Sequence, residues 1–169
     1  LLYLANGRIG DALLAAAFTR RYRAWFGGVV ALARPDTAAV LAPHVDRFVP
    51  FDPDAARLLD ADGLKVDERW KVRRKQALLD AFAGARPDIV LLEMYPFGRR
   101  QFRFELLPLL DLAAAQRPKP LVAVSVRDIL VDKGRMDRAR EAVEIVKRRI
   151  DRVLVHGDFS PKNIVIGAA

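Results

Sequence analysis

The chain contains no cysteine and only two histidines, His44 and His156, which lie far apart in the sequence. The absence of cysteine excludes a disulfide scaffold, thiol catalysis and thiolate metal ligands. The spacing of the histidines matches no metal-binding motif. We therefore predict no metal site and no cofactor.

Long apolar runs are also missing. No run of about 18 or more apolar residues occurs, and Asn6 and Arg8 interrupt the N-terminal run before it reaches the length of a signal-peptide core. We therefore expect a cytoplasmic protein. The 169 residues have the length of one domain, and 52% of them are hydrophobic, which suffices for a sizeable core.

Acidic residues are outnumbered by basic ones. The chain has 29 lysines and arginines against 21 aspartates and glutamates, a formal net charge of +8. This surplus suits an acidic partner such as a phosphorylated substrate or an anionic membrane surface. The basic residues are spread over several segments and alternate with acids, unlike the single stripe of a nucleic-acid-binding domain. Nucleic acid is therefore disfavoured as a partner.

Short apolar runs with the length of strands alternate with segments of helical periodicity along the chain. The pattern predicts an α/β fold with a Rossmann-like three-layer parallel sheet, because strands separated by helices pair in parallel through right-handed crossovers. Residues 53–66 are predicted to leave the sheet. After a first strand that opens at Tyr3, the predicted strands are 29–33, 46–51, 89–92, 121–125 and 152–155. The predicted helices are 12–26, 37–41, 67–85, one that ends at residue 115, and 135–149.

The first strand meets the first helix in a turn with two glycines, Gly7 and Gly10, followed by Asp11. Glycines let a backbone approach a ligand, and a helix N-terminus attracts anions and hydroxyl groups. Gly7, Arg8 and Gly10 are therefore candidate substrate-binding residues, with Asp11 at the mouth of the site. The structural alternative makes Asp11 the N-cap of the helix. The turn lacks the Gly-x-Gly-x-x-Gly fingerprint, so a nicotinamide-cofactor enzyme is disfavoured.

Polar residues also follow the later strands, and in an open α/β sheet the carboxyl ends of the strands are where ligands bind. Arg127 is predicted either to pair with Asp128 or to hold an acidic group of a ligand. The loop after the fourth strand has a structural alternative too, in which Pro96 and Gly98 shape a tight loop while Arg99 and Arg100 begin the surface of the helix that runs to Ala115. The candidate substrate-binding residues at these strand ends are Glu93, Phe97, Gly98, Arg99, Arg127, Asp128, His156 and Asp158.

The helix predicted over 67–85 has Asp67 as its N-cap and carries a basic face. That face is predicted to be solvated, with phosphate binding as the alternative. The residues predicted to point inward are Trp70, Ala77, Leu78, Ala81 and Phe82, and those on the basic face are Lys71, Arg73, Arg74 and Lys75.

Six motifs occur between about residue 58 and residue 158: LDADG at 59–63, WKVRR at 70–74, RPDIV at 86–90, YPFGRR at 95–100, SVRDIL at 125–130 and DRVLVHGD at 151–158. In these motifs and their order, this part of the chain resembles the N-terminal half of predicted bacterial glycosyltransferases related to the murein GlcNAc-transferase. The resemblance implies a GT-B fold, in which two Rossmann-like domains face each other. The N-terminal domain mainly holds the acceptor and the C-terminal domain the nucleotide-sugar.

The start of the chain, residues 1–52, carries other motifs: GRIGDALL at 7–14, ARPD at 33–36 and VDRFVPFD at 45–52. In these it is similar to the ADP-heptose heptosyltransferases, which share the GT-B architecture. The similarity implies that Asp11 is the general base that deprotonates the acceptor hydroxyl. Such a base helps because a sugar hydroxyl is a poor nucleophile that loses its proton in the transition state.

The segment HGDFSPKNIV at 156–165 looks like the catalytic loop of aminoglycoside and choline phosphotransferases, where the aspartate would be the base and the asparagine a metal ligand. The nucleotide-gripping lobe and the following metal-binding acid of such kinases are not in the sequence, so a phosphotransferase fragment is a remote alternative. Three signatures in a chain that begins at Leu1 fit a fragment, a fusion or an artificial sequence, and the sequence leaves these open.

We therefore expect an acceptor-binding GT-B domain over residues 1–158, with 159–169 as a tail or the start of a second domain. The parent reaction would transfer a sugar from a nucleotide-sugar to a hydroxyl of an envelope glycolipid or saccharide, with Glu93, Arg99 and Arg127 lining the acceptor cleft. A glycolipid acceptor would bring the domain to the membrane as a peripheral protein. Since both domains position the reactants, the chain alone is expected to be inactive or very weak. The alternative is a non-catalytic binding domain for a phosphorylated or nucleotide-like ligand.

Overall fold

A computed structural model describes residues 1–5, 9–51, 65–126, 136–155 and 166–167 of the chain. The strands are β1 (Leu2–Ala5), β2 (Val30–Ala33), β3 (Arg47–Pro50), β4 (Ile89–Glu93), β5 (Leu121–Val126), β6 (Arg152–Val155) and β7 (Ile166–Gly167). The α-helices are α1 (Ile9–Tyr22), α2 (Ala38–Leu41), α3 (Glu68–Ala85), α4 (Arg103–Ala115) and α5 (Met136–Arg149). Short 3-10 turns lie at Arg23–Trp25, Pro35–Thr37, Ala42–His44 and Arg100–Phe102.

The strands form a single sheet in the order β3-β2-β1-β4-β5-β6-β7. The first six strands are parallel, and β7 pairs antiparallel with β6. With helices on both faces this is a three-layer Rossmann-like arrangement, the order 3-2-1-4-5-6 being that of dinucleotide-binding sheets. The predicted α/β fold class is confirmed, and the arrangement is consistent with one half of a GT-B fold. The antiparallel strand β7 was not predicted.

The two faces of the sheet differ in the size of their side chains, which alternate along each strand. Large side chains face α3, α4 and α5, whose buried residues include Leu78, Phe82, Leu106, Leu109 and Ile145. The strand side chains that face α1 and α2 are three alanines, Ala31, Ala33 and Ala123, together with Tyr3 and Leu91. Most of the bulky core therefore lies on the α3–α5 side. The strand residues on that side are Leu2, Leu4, Leu32, Val90, Leu92, Val122, Val124, Val126 and Val153.

The start of α3 agrees with the prediction from the sequence. Asp67 precedes the helix with extended backbone, and its side chain accepts a hydrogen bond of 2.7 Å from the Trp70 amide. This cap satisfies one of the amides that a helix leaves without a partner in its first turn. The cap fixes where α3 begins and hence which of its side chains face the sheet.

The prediction that Arg74 belongs to a solvated basic face is wrong. The buried residues of α3 recur every fourth position, at Trp70, Arg74, Leu78 and Phe82, so Arg74 lies in the apolar stripe. Ala77, predicted to point inward, is exposed, and Ala81 is only half-buried. Lys71 and Lys75 are partly exposed and Arg73 is exposed, as expected of a solvated face.

Arg74 is stabilised in the core by a carboxylate on the neighbouring helix. Its Nε and Nη2 donate hydrogen bonds of 2.7 and 3.1 Å to the two oxygens of Glu105, which is fully buried in α4. Burial raises the pKa of the Glu105 carboxyl, and the charge and hydrogen bonds of Arg74 offset part of that rise. The pair joins α3 to α4. The Arg74 guanidinium carbon also lies 4.1, 5.0 and 5.4 Å from the ring centres of Phe51, Phe102 and Trp70.

Candidate functional site

The carboxyl ends of the six parallel strands lie at one edge of the sheet, and the strand order reverses between the neighbours β1 and β4. The chain continues from β1 into α1 on one face and from β4 into α4 on the other. Connections that leave a sheet in opposite directions open a crevice where ligands bind in this class of fold. The ends of β1 and β4, after which the two walls of the site are predicted, therefore flank the crevice.

The β1 side of the crevice includes the first turn of α1. The helix begins at Ile9, so Gly10 and Asp11 are its second and third residues. The alternative that Asp11 is the N-cap is therefore wrong, because a cap residue precedes the first helical residue. The first turn is the positive end of the helix dipole, which favours anionic groups. Gly7 and Arg8 lie outside the described residues.

Glu93 ends β4 on the other side of the crevice and is 5% exposed. The next residue, Met94, donates its amide to the Ser125 carbonyl of β5 at 2.8 Å, so the sheet holds the start of the loop in place. The Oε1 atom of Glu93 lies 3.6 Å from Nη2 of Arg99. This distance is that of an ion pair and is too long for a hydrogen bond. Two of the predicted binding residues are thus brought together.

The loop between Glu93 and Arg99 has an unusual backbone. Met94 has φ of 64° and Arg99 has φ of 56°, both in the left-handed region that residues with a Cβ rarely adopt. Each such residue costs on the order of 1–3 kcal/mol, and such conformations cluster at functional sites. The Gly98 amide donates to the Met94 carbonyl at 2.7 Å and closes the turn. A Cβ at Gly98 would lie 3.3 Å from the Met94 Cβ, so this glycine also has a packing role.

Phe97 is half-buried and packs against the core on the α3–α5 side. Its ring helps to hold the loop to the body of the domain. Because it is not fully buried, part of it is accessible at the edge of the sheet. Its role in substrate binding stays a prediction.

The same loop lines a second feature, a cavity of about 300 Å³ between the loop, α4 and α5. Two arginines there contact one carboxylate: Arg100 Nη2 lies 3.0 Å from Glu141 Oε2, and Arg103 contacts Glu141 Oε1. Tyr95 is 2% exposed, and its hydroxyl has no hydrogen-bond partner among the described residues. Sequence reasoning missed Arg103 and Glu141. The cavity is lined by Tyr95, Pro96, Arg100, Arg103, Glu141 and Ile145.

The remaining candidates follow β5 and β6. These strands are neighbours in parallel register, with Val126 opposite Val155, so they end at the same edge as β4. Arg127 and Asp128 follow β5, and His156 and Asp158 follow β6. All four lie outside the described residues, and their roles stay predictions.

Within the described part of the chain, no three histidine, aspartate or glutamate side chains come together as metal ligands. No described helix combines the length and apolar character needed to cross a bilayer. The chemistry available at the crevice is that of carboxylates and guanidiniums, which accept and donate hydrogen bonds to polar ligands. No protein-family model matches the chain, and a search of curated proteins found no match.

Proposed function

We propose that the chain is the acceptor-binding domain of a GT-B-type glycosyltransferase. The parent reaction transfers a sugar from a nucleotide-sugar to a hydroxyl of an envelope glycolipid or saccharide. The observation that carries the proposal is the position of the Glu93–Arg99 pair across the crevice from the first turn of α1. The resemblance of residues 1–52 and 58–158 to two GT-B families supports the same conclusion.

The Glu93–Arg99 pair suits a hydroxylated ligand. Both carboxylate oxygens of Glu93 are buried in this structure, so a shift of the Arg99 side chain would be needed to open them to a ligand. One hydroxyl could then donate to the carboxylate while another accepts from the guanidinium, so that the two side chains bind adjacent hydroxyls of a sugar ring. At 3.6 Å, the side chains are close enough to bind one ligand together and are not committed to a short hydrogen bond with each other. A buried carboxylate gains strength in such a contact because little water competes for it.

We assign to Asp11 the role of general base, which removes the proton of the acceptor hydroxyl as the new glycosidic bond forms. We also assign acceptor binding to Arg127, which lies outside the described residues. Transfer also requires a donor domain that positions the nucleotide-sugar, since the two reactants must be held in reach of each other. The chain alone therefore binds acceptor and transfers little or no sugar.

The proposal is tested by amide NMR of the ¹⁵N-labelled chain, titrated with neutral saccharide headgroups of envelope glycolipids and, separately, with nucleotide-sugars. We expect saccharides to shift the amides of residues 7–11, 93–100 and 127–128, and nucleotide-sugars to shift none of them strongly. Glu93→Gln should weaken saccharide binding about tenfold, since it replaces a charge-assisted hydrogen bond with a neutral one.

The matched control is Asp88→Asn, which removes one carboxylate charge at the opposite end of the same strand. It should leave binding unchanged. Asp11→Asn should also spare binding and should abolish transfer once a donor domain is supplied. Saccharide shifts at the amino edge of the sheet, or equal losses in Glu93→Gln and Asp88→Asn, would contradict the proposal.

A further inference from the structure

Two arginines and one glutamate line the cavity between the 94–100 loop, α4 and α5. Arg100 and Arg103 both contact the carboxylate of Glu141. Farther along the same helix pair, Arg149 binds Asp111 one to one, with Nε to Oδ1 at 2.8 Å. At the cavity end of this interface, by contrast, two arginines contact the same carboxylate.

The Tyr95 hydroxyl adds a hydrogen-bond donor to the same cavity. Tyr95 lines the cavity and is only 2% exposed. Its hydroxyl oxygen has no hydrogen-bond partner among the described residues. A buried hydroxyl without a partner costs free energy, so a ligand atom that accepts from it would be favoured. Burial also raises the pKa of the Tyr95 phenol, so the group stays protonated and able to donate.

The start of α4 also favours the binding of an anion at this cavity. The helix begins at Arg103 without a hydrogen bond from any side-chain cap. Its 13 residues carry a dipole whose positive end lies at the cavity. The helix end thus adds to the attraction that the two guanidiniums exert on an anion.

We propose that this cavity binds a phosphate group, held by Arg100, Arg103 and the Tyr95 hydroxyl, with Glu141 as the internal carboxylate that competes for the same arginines. A phosphate group carries nearly two negative charges and three acceptor oxygens, against one charge and two oxygens for a carboxylate. It can therefore contact both guanidiniums and the phenol at once. The volume of about 300 Å³ leaves room for part of the molecule that carries the phosphate.

The phosphate site stands on observations separate from the Glu93–Arg99 pair, so it does not depend on sugar transfer. A glycosyltransferase domain would use it for a phosphorylated acceptor, and a non-catalytic domain for a phosphorylated ligand. The site predicts opposite changes in phosphate affinity for different variants. Loss of the Tyr95 hydroxyl or of the Arg103 guanidinium should weaken phosphate binding, whereas loss of the Glu141 charge should tighten it.

The experiment titrates the full chain with inorganic phosphate at constant ionic strength, balanced with sodium chloride. Tyrosine labelled with ¹³C at Cζ gives three signals, for Tyr3, Tyr22 and Tyr95. We expect a saturable shift of the Tyr95 signal and of the amides of residues 94–103. Measured on those amides, Tyr95→Phe should weaken binding about fivefold and Arg103→Gln about tenfold, as expected for charged hydrogen bonds. Glu141→Gln should tighten it several-fold.

The control is Arg117→Gln, which removes the same charge two residues beyond the other end of α4 and should leave phosphate binding unchanged. Glucose 1-phosphate and vesicles of phosphatidylcholine with phosphatidic acid then distinguish a soluble phosphate ester from a lipid headgroup. The stronger competitor against inorganic phosphate identifies the source. The proposal fails if Tyr95 shows no saturable shift, if Arg117→Gln weakens binding as much as Arg103→Gln, if Glu141→Gln weakens binding, or if neither ester competes. Because Tyr95→Phe keeps the ring, it tests the hydroxyl without disturbing the packing.

Discussion

Glu93 and Glu105 are both buried, both lie beside an arginine, and differ in how the arginine holds them. Glu105 is fully buried and receives two hydrogen bonds from Arg74, inside a ring of three aromatic side chains. Glu93 lies at the carboxyl edge of the sheet and faces Arg99 across 3.6 Å. The Arg74–Glu105 pair lies in the core between two helices. The Glu93–Arg99 pair adjoins the crevice where ligands bind in this fold.

The difference indicates what each pair contributes. A bidentate pair in the core holds α3 and α4 in register, and removing either partner leaves a buried charge without compensation. A longer pair at the edge, on a loop with two left-handed residues, contributes less to stability. Functional groups of this kind are commonly kept at some cost in stability. We therefore expect core and edge glutamates to respond oppositely in tests of stability and of binding.

The largest effect is expected for Glu105→Gln. The change leaves the Arg74 guanidinium buried without a counter-charge, so the free energy of unfolding should fall by roughly 3–5 kcal/mol. Urea denaturation followed by circular dichroism measures it. The double variant Arg74→Met/Glu105→Leu is the matched control. It should recover most of the loss because an apolar pair of similar volume fits this site. A double variant as unstable as the single one would contradict this account.

A smaller effect is expected for Asp67→Ala, which removes the cap of the helix that carries Arg74. The Trp70 amide loses its side-chain partner, so stability should fall by about 1 kcal/mol. The thermal midpoint and urea titration report this change. Asp67→Asn retains a capping oxygen and should stay close to the wild type. Equal losses in the alanine and asparagine variants would mean that the charge, and not the cap, matters.

Glu93→Gln should change stability by less than about 1 kcal/mol, in contrast to Glu105→Gln. The reason is that an ion pair longer than a hydrogen bond returns little of the cost of burying the carboxylate. Urea titrations of the two variants under the same conditions give the comparison. A loss for Glu93→Gln as large as that for Glu105→Gln would make Glu93 a core residue like Glu105.

The smallest effect is expected at Asp46, whose carboxylate is exposed and serves as a reference. Its Oδ2 accepts a hydrogen bond of 2.6 Å from the Val29 amide, and its Oδ1 contacts Arg23. The hydrogen bond from Val29, with the charge of Arg23, lowers the pKa of Asp46 below its ordinary value of 3.8. A lowered pKa in the folded state means that Asp46 stabilises the fold above about pH 4 and that this contribution is lost as pH falls through the lowered value. Stability of Asp46→Asn, measured by urea titration from pH 6 down to about pH 2, should therefore fall less steeply with acid. An unchanged slope would refute this assignment.

Much of the fold follows from the sequence because strands and helices alternate with clear periodicity. The predicted strand 121–125 lies within β5 at Leu121–Val126, and the predicted helix 67–85 corresponds to α3 at Glu68–Ala85. Short-range signals such as the Asp67 cap suffice for these elements. The pairing of β7 with β6 depends on a contact between distant segments, and no local pattern indicates it.

Arg74 and Glu105 are charged residues whose burial is indicated by their spacing and not by their residue type. Their positions carried a usable signal, since Arg74 stands four residues from both Trp70 and Leu78, and Glu105 four residues before Leu109. The charge of each residue favoured an exposed position, whereas its spacing along the helix favoured a buried one. The spacing was right because each charge has the other as its partner.

The candidate site divides in the same way. Glu93 and Arg99 are close in sequence, and the rule that ligands bind at strand ends suffices to predict them. The cavity at Tyr95 needs Glu141 from α5, and its contacts with Arg100 and Arg103 depend on how two helices pack. Such contacts are set by tertiary structure and are not visible in the spacing of residues.

The most direct test compares the saccharide affinities of two variants by amide NMR titration: Glu93→Gln and the double variant Arg74→Met/Glu105→Leu. We predict that the double variant binds neutral saccharide headgroups like the wild type, because Arg74 and Glu105 lie in the core and do not contact the ligand. Glu93→Gln should bind about tenfold more weakly. Undiminished binding by Glu93→Gln, or a loss confined to the double variant, would contradict the assignment of the edge glutamate to ligand binding.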